Sequence, residues 1–361
     1  MEGTVAVIGG GVAGATAALV LARAGHGVTV VEAQASARWK IGETLGPEAR
    51  PVLQSLGLWE RFAGDVHLPS PGNVSAWGSD VLAEKDFIFH PYGNAWQLDR
   101  IVFEETLLAT AAHAGATVLR GHAVDAIART EEQWQVWAGS KSFTADFLID
   151  ASGRRSLVAR HLGVKREMFD SLVAIFGLAI SQSGDDRDAR TLIESVEDGW
   201  WYSALMPGGR RTVSFQTDAD LIAGQDWRSP QWFLDRIRRT RHLAALLERH
   251  GCKFPEAPRL TSAHSGRLAE FRGDGWLAIG DAAMSFDPLS GFGILKAMES
   301  GIMAAEALAG KEPASLSAFD DLNAQLWTQF TAQRTAYYAM EPRWPGAPFW
   351  QRRVAPARLI P

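Results

Sequence analysis

The sequence predicts an α/β fold: a parallel sheet flanked by helices, an inserted β-rich unit, and a helical carboxy-terminal segment. Three observations predict it. The chain opens with a β-branched apolar run, Thr4–Ile8, that leads through a glycine-rich turn into an Ala- and Leu-rich stretch at 11–24. This is the pattern of a buried parallel strand and its crossover helix. Strand-then-helix patterns return near 98–160 and 270–310, and between them residues 171–220 alternate like antiparallel strands.

The elements follow in order. Gly25 or Gly27 stops the first helix. Residues 28–31 form the second strand, set parallel to the first by a right-handed crossover. Residues 47–62 read as a helix. The stretch 70–97 mixes Gly, Pro, Asn and aromatics, with a short strand at 86–90. A helix at 98–114 precedes strands at 117–119, 123–129, 133–138 and 146–150. Residues 229–250 are helical and basic. A buried strand at 276–279 leads to a helix at Gly293–Ala309, and 316–338 form the last long helix before a tail rich in Pro, Arg and Trp. With no internal repeat, one domain is expected from 1–69, 98–165 and 266–312, a second from 70–97 and 166–265, and a helix with its tail from 313–361.

At 361 residues and 47% hydrophobic, the chain can bury a sizeable core and is expected to hold roughly two domains. A net charge of -5 gives no electrostatic reason to expect nucleic acid. The single cysteine, Cys252, excludes an intrachain disulfide framework and a cysteine-cluster metal site, and no metal is expected. A reducing cytoplasm is the simplest reading. Residues 5–24 are apolar over a length that suits a membrane helix or a leader. However, the start Met1-Glu2-Gly3-Thr4 carries no positive charge, and Gly9, Gly10, Gly11 and Gly14 fit a strand, a tight turn and a helix better. No membrane association is therefore expected. Fourteen tryptophans are many for this length; they serve core packing or a pocket for a flat aromatic ring.

Three motifs carry chemistry. Gly9-Gly10-Gly11-Val12-Ala13-Gly14 holds G-x-G-x-x-G as Gly9, Gly11 and Gly14. Such glycines permit a tight turn, close approach to a pyrophosphate, and close helix–strand packing. The helix N-terminus then offers free N–H groups to phosphate. Glu32 ends the second strand where an acid accepts from a ribose hydroxyl, and it would repel a 2′-phosphate. Strand, turn, helix, strand and acid in order predict a dinucleotide site; an ordinary glycine-rich turn is the alternative. The second motif is Gly280-Asp281-Ala282-Ala283 followed by Asp287-Pro288-Leu289-Ser290-Gly291-Phe292-Gly293. It places a carboxylate at a strand end, where it accepts from polyol hydroxyls or merely caps a helix. The helix that follows can stabilise negative charge. The third is Asp150-Ala151-Ser152-Gly153-Arg154-Arg155-Ser156, another strand ending in Asp and a small-residue turn.

In order and spacing, these motifs resemble the FAD-dependent group A monooxygenases and the flavin-dependent halogenases, over most of the chain. The resemblance implies a Rossmann-like FAD-binding domain of the para-hydroxybenzoate hydroxylase type. It implies that Gly9, Gly11, Val12, Ala13, Gly14 and Glu32 hold the ADP half of FAD and that Asp281 holds the ribityl-pyrophosphate region. Ala151 and Gly153 join the cofactor set, and Pro288, Gly291, Phe292 and Gly293 lie beside the isoalloxazine. Arg100 matches the arginine that supports the phosphates; a surface arginine at a helix start is the alternative. Trp39-Lys40-Ile41-Gly42-Glu43-Thr44-Leu45 is similar to the halogenase segment bordering the flavin, which adds Lys40 and Gly42.

Gly199-Trp200-Trp201-Tyr202-Ser203-Ala204-Leu205-Met206-Pro207 departs from the halogenase W-x-W-x-I-P signature, and neither Lys85 nor Lys40 sits in the context of the halogenase lysine. Trp77-Gly78-Ser79, Asp86-Phe87-Ile88, the 199–203 segment, Thr217-Asp218-Ala219-Asp220 and the tail from Glu341 to Trp350 resemble flavoproteins that hydroxylate a tryptophan of a precursor protein in tryptophylquinone biogenesis. The implied activity is an FAD-dependent monooxygenase with dioxygen as co-substrate. Its flavin C4a-hydroperoxide attacks an aromatic ring, and its electrons come from NAD(P)H or an external flavin reductase. A hydroxylase or halogenase of a small aromatic metabolite is the alternative, and a non-catalytic nucleotide-binding module a third reading. Trp201 and Tyr202, with Trp200, are candidates for an aromatic wall or for plain core. Glu43 and His90 are candidate acid/base groups or structural ones. The arginines at 236–241 and Arg343, Arg352, Arg353 and Arg358 either dock an acidic partner or form a solvated face.

Overall fold

The computed structural model describes residues 3–310 and 313–354. The opening βαβ unit forms as its sequence pattern requires. Thr4–Ile8 is the central strand of a six-stranded sheet ordered Arg272–Gly273, Trp276–Ala278, Phe147–Asp150, Thr4–Ile8, Gly27–Glu32 and Thr117–Arg120. Its neighbours pair in parallel on both sides, with Ile8 opposite Asp150 and Val31, and Asp150 opposite Ala278. The carboxyl ends of three motif-bearing strands therefore lie side by side, the edge at which open α/β sheets bind ligands. The helices Val12–Arg23, Arg100–His113 and Gly293–Ala309 cover this sheet and share its core, including Leu19, Leu108, Leu148 and Met298.

A second, seven-stranded sheet runs in the order Arg259–Ser262, Leu172–Ile180, Arg210–Asp218, Gly199–Leu205, Thr191–Val196, Gly72–Ala76 and Ala83–Asp86. Its pairs are antiparallel except where Thr191–Val196 runs parallel to Gly72–Ala76. Side chains alternate across it. One face, with Ile175, Phe215, Val213 and Trp201, is sealed by Phe233, Ile237, Leu243 and Leu247 of the helices Pro230–Ile237 and His242–Arg249. The other face turns toward the first sheet. The long helix Pro313–Ala339 and the short helix Pro348–Val354 close one end of that space, where Tyr338, Phe349 and Trp350 pack around Trp200.

Several expected elements differ in detail. The strand expected at 86–90 ends at Asp86, and the backbone then turns, His90 N donating to Phe87 O. The helix expected over 47–62 is two, Ala49–Ser55 and Trp59–Gly64, because Gly57 at φ +64° reverses the chain between them. The basic stretch 229–250 also breaks. The buried Glu194 carboxylate accepts from the backbone N–H groups of Arg241, His242 and Leu243 and so starts the second helix. Within the chain, Arg236 pairs with Asp198 and Arg238 with Asp235, and in the tail Arg343 pairs with Glu341, Arg352 with Asp220 and Arg353 with Asp218. These tail arginines are therefore engaged within the chain, while Arg239, Arg241 and Arg249 remain exposed. Arg358 lies outside the described residues. No helix among the described residues is long and apolar enough to cross a membrane.

Candidate functional site

An open cleft of about 820 Å³ lies between the two sheets. Its floor begins at the first glycine motif. Gly9 adopts φ +112°, and a Cβ there would fall 2.3 Å from Ala151 O; one on Gly14 would fall 2.0 Å from Gly9 O. Strand, turn and helix thus meet at distances that admit only hydrogen. A Cβ on Gly11 would meet nothing within 4 Å, because Gly11 opens on the cleft with Val12 and Ala13. The helix they start has no side-chain cap, so its first N–H groups are free for an anion. Glu32 stands behind this turn, its Oε2 accepting from Gly10 N at 2.8 Å.

The second and third motifs complete the floor. Ala151, Gly153, Arg154, Asp281, Pro288, Gly291 and Gly293 border the cleft. Arg154 Nε lies 3.4 Å from Asp281, and its Nη1 donates to His264 O at 2.5 Å. His264 is pushed down to about 4 by burial and by the guanidinium groups of Arg154 and Arg166, so its imidazole is neutral near pH 7. Asp150 itself is structural. It accepts from Ser152 and from Val158 N and Ala159 N, while burial raises its carboxyl above the ordinary value. Phe292, expected beside a ring, is 38% exposed and borders no part of the cleft.

One side wall is built by the 39–44 segment and Arg100. Arg100 is no surface residue: its side chain is 12% exposed, and it donates to Gly42 O and to Glu104. Lys40 Nζ reaches the same Glu104 at 2.7 Å. Burial alone would raise Glu104, but Arg100 and Lys40 hold it below the usual carboxylate value. Sequence reasoning missed Glu104, whose place inside an amphipathic helix gives no signal. Arg100 Nε and Trp39 Nε1 are buried without a protein partner, on two residues that border the cleft. The uncapped helix, the cradle too tight for a Cβ and these two spare donors together fit an acceptor-rich dinucleotide such as FAD.

The roof is the inner face of the seven-stranded sheet. Trp200, Tyr202, Gln216, Ala174, Phe176, Arg259 and Thr261 point into the cleft. Trp201, expected in an aromatic wall, does not; the alternation of the strand sends it to the sealed face, stacked 4.9 Å from Phe215. Tyr202 Oη lies 2.6 Å from Thr44 Oγ1 and 3.3 Å from Glu43 Oε1. Thr44 Oγ1 donates to Gln97 Oε1 at 2.7 Å. Burial raises the Glu43 carboxyl, and burial beside Glu43 raises the Tyr202 hydroxyl well above its ordinary value. Glu43, behind the wall, thus accepts from a hydroxyl that borders the cleft. His90 stands apart, 3.4 Å from Glu48, and Lys85 lies on the exposed outer strand.

Floor and roof are tied at Asp287 of the second motif by Arg334 and Tyr338, which the sequence did not mark. Asp287 Oδ1 accepts from Leu289 N at the start of the Pro288–Ser290 turn. Its Oδ2 accepts from Tyr338 Oη at 2.8 Å and from Arg334 Nε at 3.1 Å. Tyr338 Oη in turn accepts from Trp200 Nε1 at 3.1 Å. Burial and Asp287 push the Tyr338 hydroxyl far above its ordinary value, so it remains a donor to the carboxylate.

Residues 2–315 match the FAD binding domain family. The putative FAD-dependent oxidoreductase LodB of Marinomonas mediterranea is 32% identical over 356 residues, covering 97% of this chain and 96% of LodB. The crystal structure of CmlS, a flavin-dependent halogenase, superposes with a TM-score of 0.88 at 26% identity, over 99% of this chain and 68% of that one. The peptidyl tryptophan dihydroxylase QhpG, essential for tryptophylquinone cofactor biogenesis, shares the fold with a TM-score of 0.80 at 23% identity, over 98% of this chain and 79% of that one. With its glycine cradle, its uncapped helix and its family match over most of its length, the chain belongs to the FAD binding domain family and is an FAD-dependent enzyme.

Proposed function

We propose that the chain is a monooxygenase that hydroxylates an aromatic ring, and that this ring is a tryptophan side chain of a precursor protein in tryptophylquinone biogenesis. One observation carries the reading: a floor shaped for a diphosphate and a roof of Trp200, Tyr202 and Phe176 share one open cleft. The fold likeness to QhpG supports the peptidyl substrate. FAD, when bound and reduced by NAD(P)H or by a flavin reductase, supplies activated oxygen from dioxygen.

The chain's own residues do the rest. The N–H groups of Val12, Ala13 and Gly14 hold the diphosphate, with Arg100 and Lys40 as flanking cations. Glu32 and Asp281 accept from the sugar hydroxyls. The bend at 288–293 lies beside the ring system, and the roof aromatics pin the substrate ring and exclude water. Glu43 gives and takes a proton at Tyr202 Oη, at the cleft wall. Residues 70–97 and 166–265 form the substrate-facing unit, and the helical segment from 313 braces it. A cytoplasmic location fits the single cysteine, Cys252.

The second reading is a hydroxylase or halogenase of a small aromatic metabolite, which the likeness to CmlS favours. Against the halogenase form, Lys40 is the one lysine bordering the cleft among the described residues, and Glu104 engages it. Purified protein is expected to be yellow, to bleach with dithionite and to recolour in air; Gly14→Val is expected to be colourless. Incubation with a co-purifying tryptophan-bearing precursor and reduced flavin is expected to add one or two oxygen atoms to it. A precursor of unchanged mass, beside a free aromatic compound that gains oxygen or halogen, would overturn the peptidyl reading.

A further inference from the structure

The strand Arg259–Ser262 is an edge of the seven-stranded sheet: it pairs with Leu172–Ile180 and with no other strand among the described residues. Ala263 N donates to Leu172 O, which fixes the parity of the ladder. Residues 261 and 259 turn their backbone groups toward Leu172–Ile180, and Leu260 and Ser262 turn theirs outward. Leu260 is 37% exposed and Ser262 is exposed, so these outward groups face solvent. The same strand borders the cleft through Arg259, Thr261 and Ser262. The opposite edge, Ala83–Asp86, is equally exposed, but none of its residues borders the cleft.

A strand added beside this edge would lie about 4.8 Å beyond it, and every second side chain would point to the face that carries Thr261, into the cleft. Arg155 and Arg259 border the same mouth, and Arg155 has no carboxylate partner among the described residues. Arg259 is paired with Glu256, so the unpaired positive charge the added chain would meet at this mouth is that of Arg155.

We infer that the free edge of Arg259–Ser262 docks an extended, acidic segment of the substrate polypeptide as an additional strand, which delivers its tryptophan into the cleft. The inference rests on the peptidyl reading above and adds how the polypeptide is held.

The test uses the FAD-loaded protein and three probes: N-acetyltryptophanamide, a blocked nonapeptide of alternating valine and glutamate with tryptophan at its centre, and the same peptide with lysine for glutamate. The glutamate peptide is expected to bind at least tenfold more tightly than the amide, and the lysine peptide more weakly than the glutamate one. N-methylation of one alternate set of its amides is expected to erase the gain while the other set leaves it, the signature of strand addition. Leu260→Pro, which removes one outward N–H from an edge position where proline is tolerated, is expected to lose the gain and keep both FAD and amide binding. Should that variant misfold, the N-methyl pair reads the same contact. Amide binding without any peptide gain, or gain insensitive to both methylations, overturns the inference and leaves the cleft reading standing. So does slow hydrogen exchange at Leu260 and Ser262 in the free protein, which would mean that the chain's own tail or a second copy covers the edge. Protein that takes up no FAD would overturn the cleft reading itself.

Discussion

Trp200 and Trp201 are neighbours in one strand, yet they belong to different parts of the molecule. Trp200 faces the cleft and donates to Tyr338; Trp201 is sealed between Phe215 and Phe233. The two faces of the seven-stranded sheet differ in the same way. The sealed face is apolar and closed by helices, while the cleft face mixes Trp200 and Phe176 with Tyr202, Gln216 and Thr261. The difference teaches that one sheet can separate stability from chemistry by the period of two alone, so that shifting register by one residue would exchange the roles.

That separation can be broken or sharpened by substitution. The largest effect is expected from Trp201→Ala, which empties the sealed face. It should cost about 3–5 kcal/mol in urea unfolding and leave FAD affinity in the folded fraction unchanged. Tyr338→Phe should cost about 1–3 kcal/mol, because it strands Trp200 Nε1 and removes one donor to Asp287. Unlike Trp201→Ala, it should also alter the visible spectrum of bound flavin, since it loosens roof from floor. Tyr202→Phe, on the cleft face, should shift stability by only about 1 kcal/mol and lower turnover of the aromatic substrate at least tenfold. Equal turnover would remove Tyr202 from the mechanism.

The smallest effect concerns Glu43. Burial raises its carboxyl above the ordinary 4.5. As pH climbs past 4.5, the unfolded carboxyl ionises while the folded one keeps its proton, so folding stability falls until the folded value is reached. Glu43→Gln removes this loss. Thermal melts should show the variant gaining on the wild type as pH rises above 4.5, with no gain below it. A constant difference across pH would mean that Glu43 is ionised in the fold.

The floor was legible in the sequence because its constraints act on single residues. A turn in which a Cβ on Gly14 would fall 2.0 Å from a carbonyl oxygen can be built from little but glycine, and the spacing of Gly9, Gly11 and Gly14 records it. The parallel order of the first strands followed from their apolar runs and the crossover between them. The roof was legible only as strands. Alternation showed that 171–220 is a sheet but not which face meets the cleft, so Trp201 and Trp200 looked equivalent. Glu104 and Tyr338 left no mark, because their partners Lys40 and Asp287 lie 51 or more positions away in the chain. Asp150 shows the limit of such motifs: a strand-end aspartate in a small-residue turn looks the same whether it meets a ligand or its own backbone.

Tyr338, holding Asp287 from the far end of the chain, also bears on how the protein is made. A nascent chain halted before the helix Pro313–Ala339 would own every glycine of the cradle and both strands beside it, yet its 288–290 turn would hang without its anchor. Chains shortened before Pro313 are therefore expected to hold the yellow prosthetic group more weakly and to emerge from the cell paler than the full chain.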